Sequence, residues 1–479
     1  MFAELSGITF ISLVIVAVEL LGMIAAVHAI ATARTPQSAI AWAVALVTLP
    51  WITLILYAIF GRNKFNGYVT LRNAKSVATA DLLQQLKQET SEKEILSTSL
   101  TASQNTLTSL AQLPISRYNR CRLLVDGRAT FQRIFDSIEK AADFVLVQFY
   151  IVRDDNLGRE LKKRMIQKAR EGVDVYFLYD EIGSFELPHR YLSELRNAGV
   201  IVSAFHSTRG KANRFQINFR NHRKIVVVDG TLGYVGGHNV GDEYISGHER
   251  YGDWRDTHVE IRGPGTIALQ FSFIEDWHWA TGAIPELRWP IETIGEGRDR
   301  VLVIPSGPAD KLETCGLMFL HAIHTAKERF WIASPYFIPD EKLLAAMKLA
   351  VLRGVDVRII LPEKPDHLLA YLASFDNYER LLPLGIRIFR YTRGFMHQKV
   401  FLVDGEYAAV GTANLDNRSF RLNFEVTLIN YHKPFVQEVE AMLRADMARS
   451  RAVELNDYTS RSFLFKVAVK AVSLLEPIL

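Results

Sequence analysis

The order of apolar and polar positions divides the chain into stretches of different period. Residues 8–31 are apolar almost throughout, interrupted by Glu19 and His28, and residues 39–60 carry no charge at all. Roughly 20 apolar residues are enough to cross a bilayer core, so the two runs predict two transmembrane helices. A short connection from Thr32 to Ser38, containing Pro36, makes residues 1–64 a helical hairpin. Residues 65–115 turn polar, with Leu82, Leu83, Leu86 and Ile95 at helical intervals, and predict a helical linker. Beyond them, apolar runs of strand length alternate with stretches whose apolar residues lie three and four apart. The pattern occurs twice: Phe144 to Tyr150 corresponds to Phe330 to Tyr336, Gly172 to Leu178 to Gly354 to Ile360, and Gly199 to Val202 to Gly385 to Ile388. An internal repeat of strand, helix and strand predicts two α/β halves, residues 116–290 and 291–460, each with its own sheet. The last stretch, 461–479, is apolar with Lys466 and Lys470 interspersed, and reads either as an amphipathic helix on a membrane surface or as core.

Each half contains one stretch with candidate chemistry. The first is His222-Arg223-Lys224, the apolar run Ile225 to Val228, the turn Asp229-Gly230, and then Gly236-Gly237-His238-Asn239. The second is His397-Gln398-Lys399, Val400 to Val403, Asp404-Gly405, and Gly411-Thr412-Ala413-Asn414. Asp-Gly between β-branched runs is a strong hairpin signal, so each copy predicts strand, turn and strand. Side chains two residues apart on a strand share a face, which sets each His beside a fixed cation, its Lys. Asp229 and Asp404 fall on the opposite parity, at the turn. They read either as turn residues bonding local backbone or as participants in the chemistry.

Charge narrows the setting. The net +4 and pI near 8.8 favour anionic partners without choosing between lipid and nucleic acid. Two cysteines, Cys121 and Cys315, fit neither a metal site nor a disulfide framework. Only Arg34 is positive in the connection between the two apolar runs, whereas Arg62, Lys64, Arg72 and Lys75 follow the second. The positive-inside rule then places both the N-terminus and the bulk of the chain in the cytoplasm. A basic segment with Arg209, Lys211, Arg214 and Arg220 precedes His222, as a solvated loop or as a contact for phosphate or a membrane surface.

The doubled His-x-Lys-(x)4-Asp, each copy followed by Gly-Gly-x-Asn or Gly-Thr-x-Asn, resembles the phospholipase D superfamily over nearly the whole chain. Trp42, Leu49, Pro50, Tyr57, Phe60 and Gly61, together with the apolar tail, are similar to the bacterial cardiolipin synthases within it. The resemblance implies two pseudo-symmetric α/β sheet halves forming one catalytic unit. It implies a phosphatidyltransferase with phosphatidylglycerol as donor and acceptor, making cardiolipin and glycerol through a covalent phosphohistidine. No cofactor, no metal and no nucleic acid is expected. The implied catalytic residues are His222, Lys224, Asp229, His397, Lys399 and Asp404, with Asn239 and Asn414 holding phosphate oxygens. By the same analogy His222 is the nucleophile and His397 the acid and base, in a mechanism symmetric enough that the sequence leaves the converse open. Asp256 lies 34 residues after His222 and Glu425 lies 28 after His397; each is expected to orient the imidazole of its own half. The implied location is the bacterial inner membrane, multi-pass, with a cytoplasmic catalytic part. A membrane-tethered phospholipase D-type hydrolase or nuclease is the alternative. A non-catalytic lipid-binding protein is argued against by an intact His and Lys in both copies.

Overall fold

Phe2–Thr32 forms a single helix, α1, whose residues from Phe10 onward are apolar and largely exposed, as a helix built for lipid requires. The structure, a computed structural model, describes residues 2–33, 36–61, 68, 88, 95–97, 99–205 and 218–476. The helical residues 2–60 fall in one compact unit and residues 99–205 with 220–476 in another.

The second apolar run departs from the expected single span. It forms two helices, α2 (Pro36–Thr48) and α3 (Pro50–Phe60), separated at Leu49, whose ψ of 54° is not helical. Pro50 has no N–H to continue the ladder and its ring disfavours the helical conformation at the residue before it. The chain reverses there. Gly22 of α1 lies against the Leu46 carbonyl and the Pro50 ring, while Tyr57 returns to Trp42 (ring centroids 5.1 Å apart) and bonds His28 through its hydroxyl at 2.8 Å. At 1.5 Å per residue, α2 and α3 are each under about 20 Å long, against about 30 Å of hydrocarbon, so of these three helices α1 alone has the length of a full crossing. Glu19, which interrupts the first apolar run, is exposed.

Of the predicted linker, most of residues 65–94 lies outside the described residues. Its described end is the helix Ala102–Ala111, opened by a capping box between Thr101 and Gln104, with Leu107 and Ala111 buried in the core of the second half.

The repeat is visible strand by strand. In the first half Phe144–Phe149 pairs in parallel with Asp174–Asp180, which pairs in parallel with Ile201–Phe205. Its other edge pairs antiparallel with Ile225–Val228, and the sheet continues through Leu232–Gly236 and Thr257–Arg262 to Ser116–Val125. In the second half Arg329–Ala333 takes the central place, with Asp356–Pro362 and Arg387–Tyr391 on one side and Val400–Val403, Tyr407–Gly411, Asn423–Asn430 and Asp299–Ser306 on the other. The two sheets, expected to be separate, join edge to edge: Ser116–Val125 pairs antiparallel with Asp299–Ser306. Parallel strands covered by helices on both faces have no solvent face, which is why Phe144–Phe149 reads as an unbroken apolar run and is buried along its length. The tail helix Phe463–Ser473 packs by one face only. Val469 and Val472 are buried, Lys470 pairs with Asp376 at 2.5 Å, and Phe463, Leu464 and Val467 are exposed.

Candidate active site

Each His-x-Lys tripeptide is an extended link between a two- or three-residue strand and the hairpin. Asn221, just before His222, pairs with Phe424 of the second half, and the His222 N–H donates to the Phe424 carbonyl at 2.9 Å. The mirror arrangement pairs Met396 with Arg255 of the first half, and the His397 N–H donates to the Arg255 carbonyl at 2.8 Å. Each motif is therefore stitched to the other half, and the residue that follows in the partner strand is a carboxylate.

That register corrects the expected pairing. His222 Nδ1 bonds Glu425 at 2.9 and 3.1 Å, and His397 Nδ1 bonds Asp256 at 2.6 Å. The orienting carboxylate comes from the opposite half in both cases, because the parallel pairs cross the pseudo-two-fold axis. With Nδ1 engaged, Nε2 is left for the cavity that both rings line. Glu425 also accepts from Thr412 Oγ1 (2.5 Å), Ser419 Oγ (2.9 Å) and Asn423 Nδ2 (3.2 Å). Burial pushes its carboxyl up, but His222, Lys224 and the Thr412 hydrogen bond outweigh it and hold the group below its ordinary value. Asp256 is pushed up by burial, only partly offset by Lys399 and His238. A Cβ on Gly237 would sit 2.1 Å from Asp256 Oδ1, so the glycine of the first copy makes room for Asp256, where Thr412 at the matching position of the second copy hydrogen-bonds Glu425.

Lys224 and Lys399 are almost wholly buried, and each ammonium donates to the carbonyl of its own histidine, at 2.7 Å for Lys224. Burial drives Lys224 well below its ordinary value and Lys399 down to about 8, against the pull of Asp256 and Glu425. His222 is pushed down to about 4 by burial, partly offset by Glu425, and His397 well below its ordinary value by burial and both lysines. The cavity thus holds neutral imidazoles beside lysines whose charged form an anion would stabilise. The middle residues of the tripeptides turn away: Arg223 pairs with Asp276 at 3.0 Å and Gln398 donates to Asp446 at 3.2 Å.

Asn239 and Asn414 line the cavity, already partly engaged. Asn239 donates to the Tyr244 hydroxyl at 2.7 Å and accepts from the Ile151 N–H, while Asn414 donates to Asp416 at 3.2 Å. Each amide keeps a second N–H.

Asp229 and Asp404 are not brought to the histidines, which corrects their place among the catalytic residues. Both occupy the left-handed region at the hairpin turn, with φ of 50° and 53°. Asp229 accepts from the N–H groups of Ala142, Asp143 and Phe144 at 2.8–3.0 Å, and Asp404 from those of Lys327, Glu328 and Arg329 at 2.8–3.0 Å. They anchor the start of each central strand to its hairpin. Replacing Asp404 with Ala strands those donors and is expected to cost on the order of 3 kcal/mol of stability. Denaturant melts would register it, with turnover of the folded fraction kept within a few-fold.

The cavity, about 710 Å³, also takes in residues that the motif does not signal. Tyr150 stacks edge-on to His222 (5.1 Å), and Trp254 and Tyr244 flank His397 (5.4 and 6.0 Å). Tyr336 donates to Asp366 at 2.6 Å, and Arg418 joins Arg220 in the wall. Tyr150 and Tyr336 were legible only as matching ends of the repeated strand. Of the basic segment, Arg209, Lys211 and Arg214 lie outside the described residues, whereas Arg220 lines the cavity. Among the described residues no group of three metal-ligating side chains forms a cluster.

Two family profiles match the chain: one described as "Cardiolipin synthase, PLD-like domain" over residues 134–250 and 319–447, and one described as "Phospholipase_D-nuclease N-terminal" over residues 20–62. The chain is similar to cardiolipin synthase A of Pseudomonas putida, 49% identical across 96% of each chain. It is similar to cardiolipin synthase A of Pseudomonas aeruginosa (strain LESB58), 47% identical across 99% of this chain and 97% of the relative. Among solved structures it shares the fold of phosphatidylserine synthase from Haemophilus influenzae Rd KW20, with a TM-score of 0.57 at 16% identity over 79% of this chain and 100% of that one.

Proposed function

The chain belongs to the cardiolipin synthase family of phospholipase D-like enzymes, and on that premise we propose that His222 and His397 carry out a two-step phosphatidyl transfer within the one cavity. The overall reaction condenses two phosphatidylglycerol molecules into cardiolipin and releases glycerol. The observation that carries the mechanism is the convergence of two carboxylate-backed imidazoles, one from each half, on one cavity, each with a buried lysine two residues further along the chain.

In the first step His222 Nε2 attacks the donor phosphorus. The bond to the head-group glycerol breaks, and His397 gives that oxygen its proton. Burial keeps His222 neutral, with a lone pair available. The bound phosphodiester and Asp256 together favour the imidazolium at His397 that burial and the lysines disfavour. In the second step His397, now a base, takes the proton from a hydroxyl of the acceptor, which attacks phosphorus as the P–N bond breaks. Lys224 and Lys399, with the remaining N–H groups of Asn239 and Asn414, face the charge on the non-bridging oxygens.

The protein associates with membranes. The finer placement, a bacterial cytoplasmic membrane with the catalytic unit on its inner side, is supported by the basic residues Arg62, Lys64, Arg72 and Lys75 that follow the apolar region.

Detergent-purified full-length protein, incubated with labelled phosphatidylglycerol in the presence of EDTA, is expected to yield cardiolipin and equimolar glycerol. Phosphatidic acid as the main product would move it to the hydrolases, and nucleotide release from DNA to the nucleases. The pH profile follows from Lys399. Its charged form is required, and with its pKa lowered to about 8 that form is lost as pH rises through 8, so kcat/KM is expected to fall there. A flat profile to pH 10 would remove Lys399 from the phosphate site.

A further inference from the structure

The groups around the reacting phosphorus come in pairs related by the internal repeat: the two histidines, the two lysines, the two asparagines, and Tyr150 with Tyr336. Among the cavity residues that break the pairing are two arginines. Arg220 stands two positions before His222, where the second half has Phe395 before His397. Arg418 stands four positions after Asn414, where the first half has Glu243 after Asn239. Their counterparts do other work, since Glu243 pairs with Arg153 at 3.0 Å and Phe395 is buried against Trp254 with ring centroids 4.6 Å apart.

The fold brings these two arginines, 198 positions apart in the sequence, to one wall. Arg220 pairs with Asn423 in the parallel ladder, and the short helix Asn417–Arg421 that carries Arg418 runs directly into that strand. Both act on the phenol of Tyr150, whose ring packs edge-on to His222. Burial lowers the Arg418 guanidinium from its ordinary value and Arg220 lowers it further, the signature of two positive charges held close together. Asp416, Tyr150 and Glu425 act on Arg418 in the opposite sense, and two guanidinium groups in a cavity wall offer planar donors to a phosphodiester.

The reaction supplies an anion that the paired groups leave unaccounted for. Two phosphodiester monoanions enter the cavity and only one of them reacts. The acceptor carries its own phosphate three carbons from the attacking hydroxyl, into a cavity that already holds the anionic phosphohistidine diester. We propose that Arg220 and Arg418 form a second anion subsite, holding the phosphodiester of the acceptor lipid while its hydroxyl is presented to phosphorus. The subsite rests on the phosphatidyl-transfer reading above, and it distinguishes an anionic acceptor from water or a neutral alcohol, neither of which has a phosphate to bind.

The test compares two acceptors in one tube. Full-length wild type, Arg220→Gln and Arg418→Gln are given labelled phosphatidylglycerol with ethanol, and cardiolipin is measured against phosphatidylethanol. Loss of a charge-assisted contact to the acceptor alone is expected to lower that ratio about tenfold or more in each variant, with phosphatidic acid rising. An unchanged ratio, whether both products persist or both fall together, overturns the subsite. If either Gln variant yields no product, Arg220→Lys and Arg418→Lys are read instead. They keep the charge without the two-pronged fork, and a drop of about threefold in the ratio is expected. An unchanged ratio in the Lys pair overturns the proposal equally. Wild type that forms phosphatidylethanol but no cardiolipin would instead reject phosphatidylglycerol as the acceptor, the reading on which the subsite stands.

Discussion

Replacing either His222 or His397 with alanine is expected to reduce cardiolipin formation by about four orders of magnitude, with the melting temperature nearly unchanged. Both rings are largely buried yet their Nε2 edges line the cavity, so truncation removes chemistry rather than packing. The two variants are distinguished by the leaving group. p-Nitrophenolate leaves a phosphodiester without needing a proton, so His397→Ala is expected to release a stoichiometric burst of it, with the second step still slow for want of a base, whereas His222→Ala is not. A covalent phosphatidyl label should be trapped on His397→Ala and absent from His222→Ala. The reverse pattern would exchange the two roles, and recovery of both variants would end the case for a histidine nucleophile.

The second large effect concerns the carboxylates. Glu425→Gln and Asp256→Asn keep the shape of the side chain but remove the charge that sets the tautomer and steadies the imidazolium, and losses of about 10²- to 10⁴-fold are expected. The crossed hydrogen bonds dictate how the variants group. Glu425→Gln should behave like His222→Ala, without rescue by the activated leaving group, because Glu425 backs His222 at 2.9 Å. Asp256→Asn should behave like His397→Ala and show the burst, because Asp256 backs His397 at 2.6 Å. Pairing within each half predicts the opposite grouping, so one assay on four variants decides between them.

The sequence alone carried the architecture of the halves and pointed to the groups proposed to react. Strand length, β-branched composition and the Asp-Gly turns are local properties, and the repetition of one pattern in two places made the α/β halves and both His-x-Lys tripeptides legible without coordinates. Pro50 was just as plain in the sequence. What it does there is not local, because whether a proline bends a helix slightly or reverses it depends on what packs nearby, here Gly22, His28 and Trp42. Asp229 and Asp404 illustrate the same limit. Parity set them apart from the histidines, but their acceptor role appears only once the N–H groups at the start of each central strand are seen to converge on them.

The active site itself is a product of tertiary structure. Asn221 pairs with Phe424 and Met396 with Arg255, and those two short parallel ladders carry each carboxylate across to the histidine of the other half. Spacing along the chain counts residues within a half and has no term for an exchange between halves. The same ladders set Arg220 beside the strand that follows Arg418 and thereby polarise a cavity whose paired groups are otherwise symmetric. Sequence determines which groups are available and which of them are duplicated. Which group meets which is settled by strand register across the pseudo-two-fold axis, because hydrogen-bonding geometry between distant segments exists only in the folded chain.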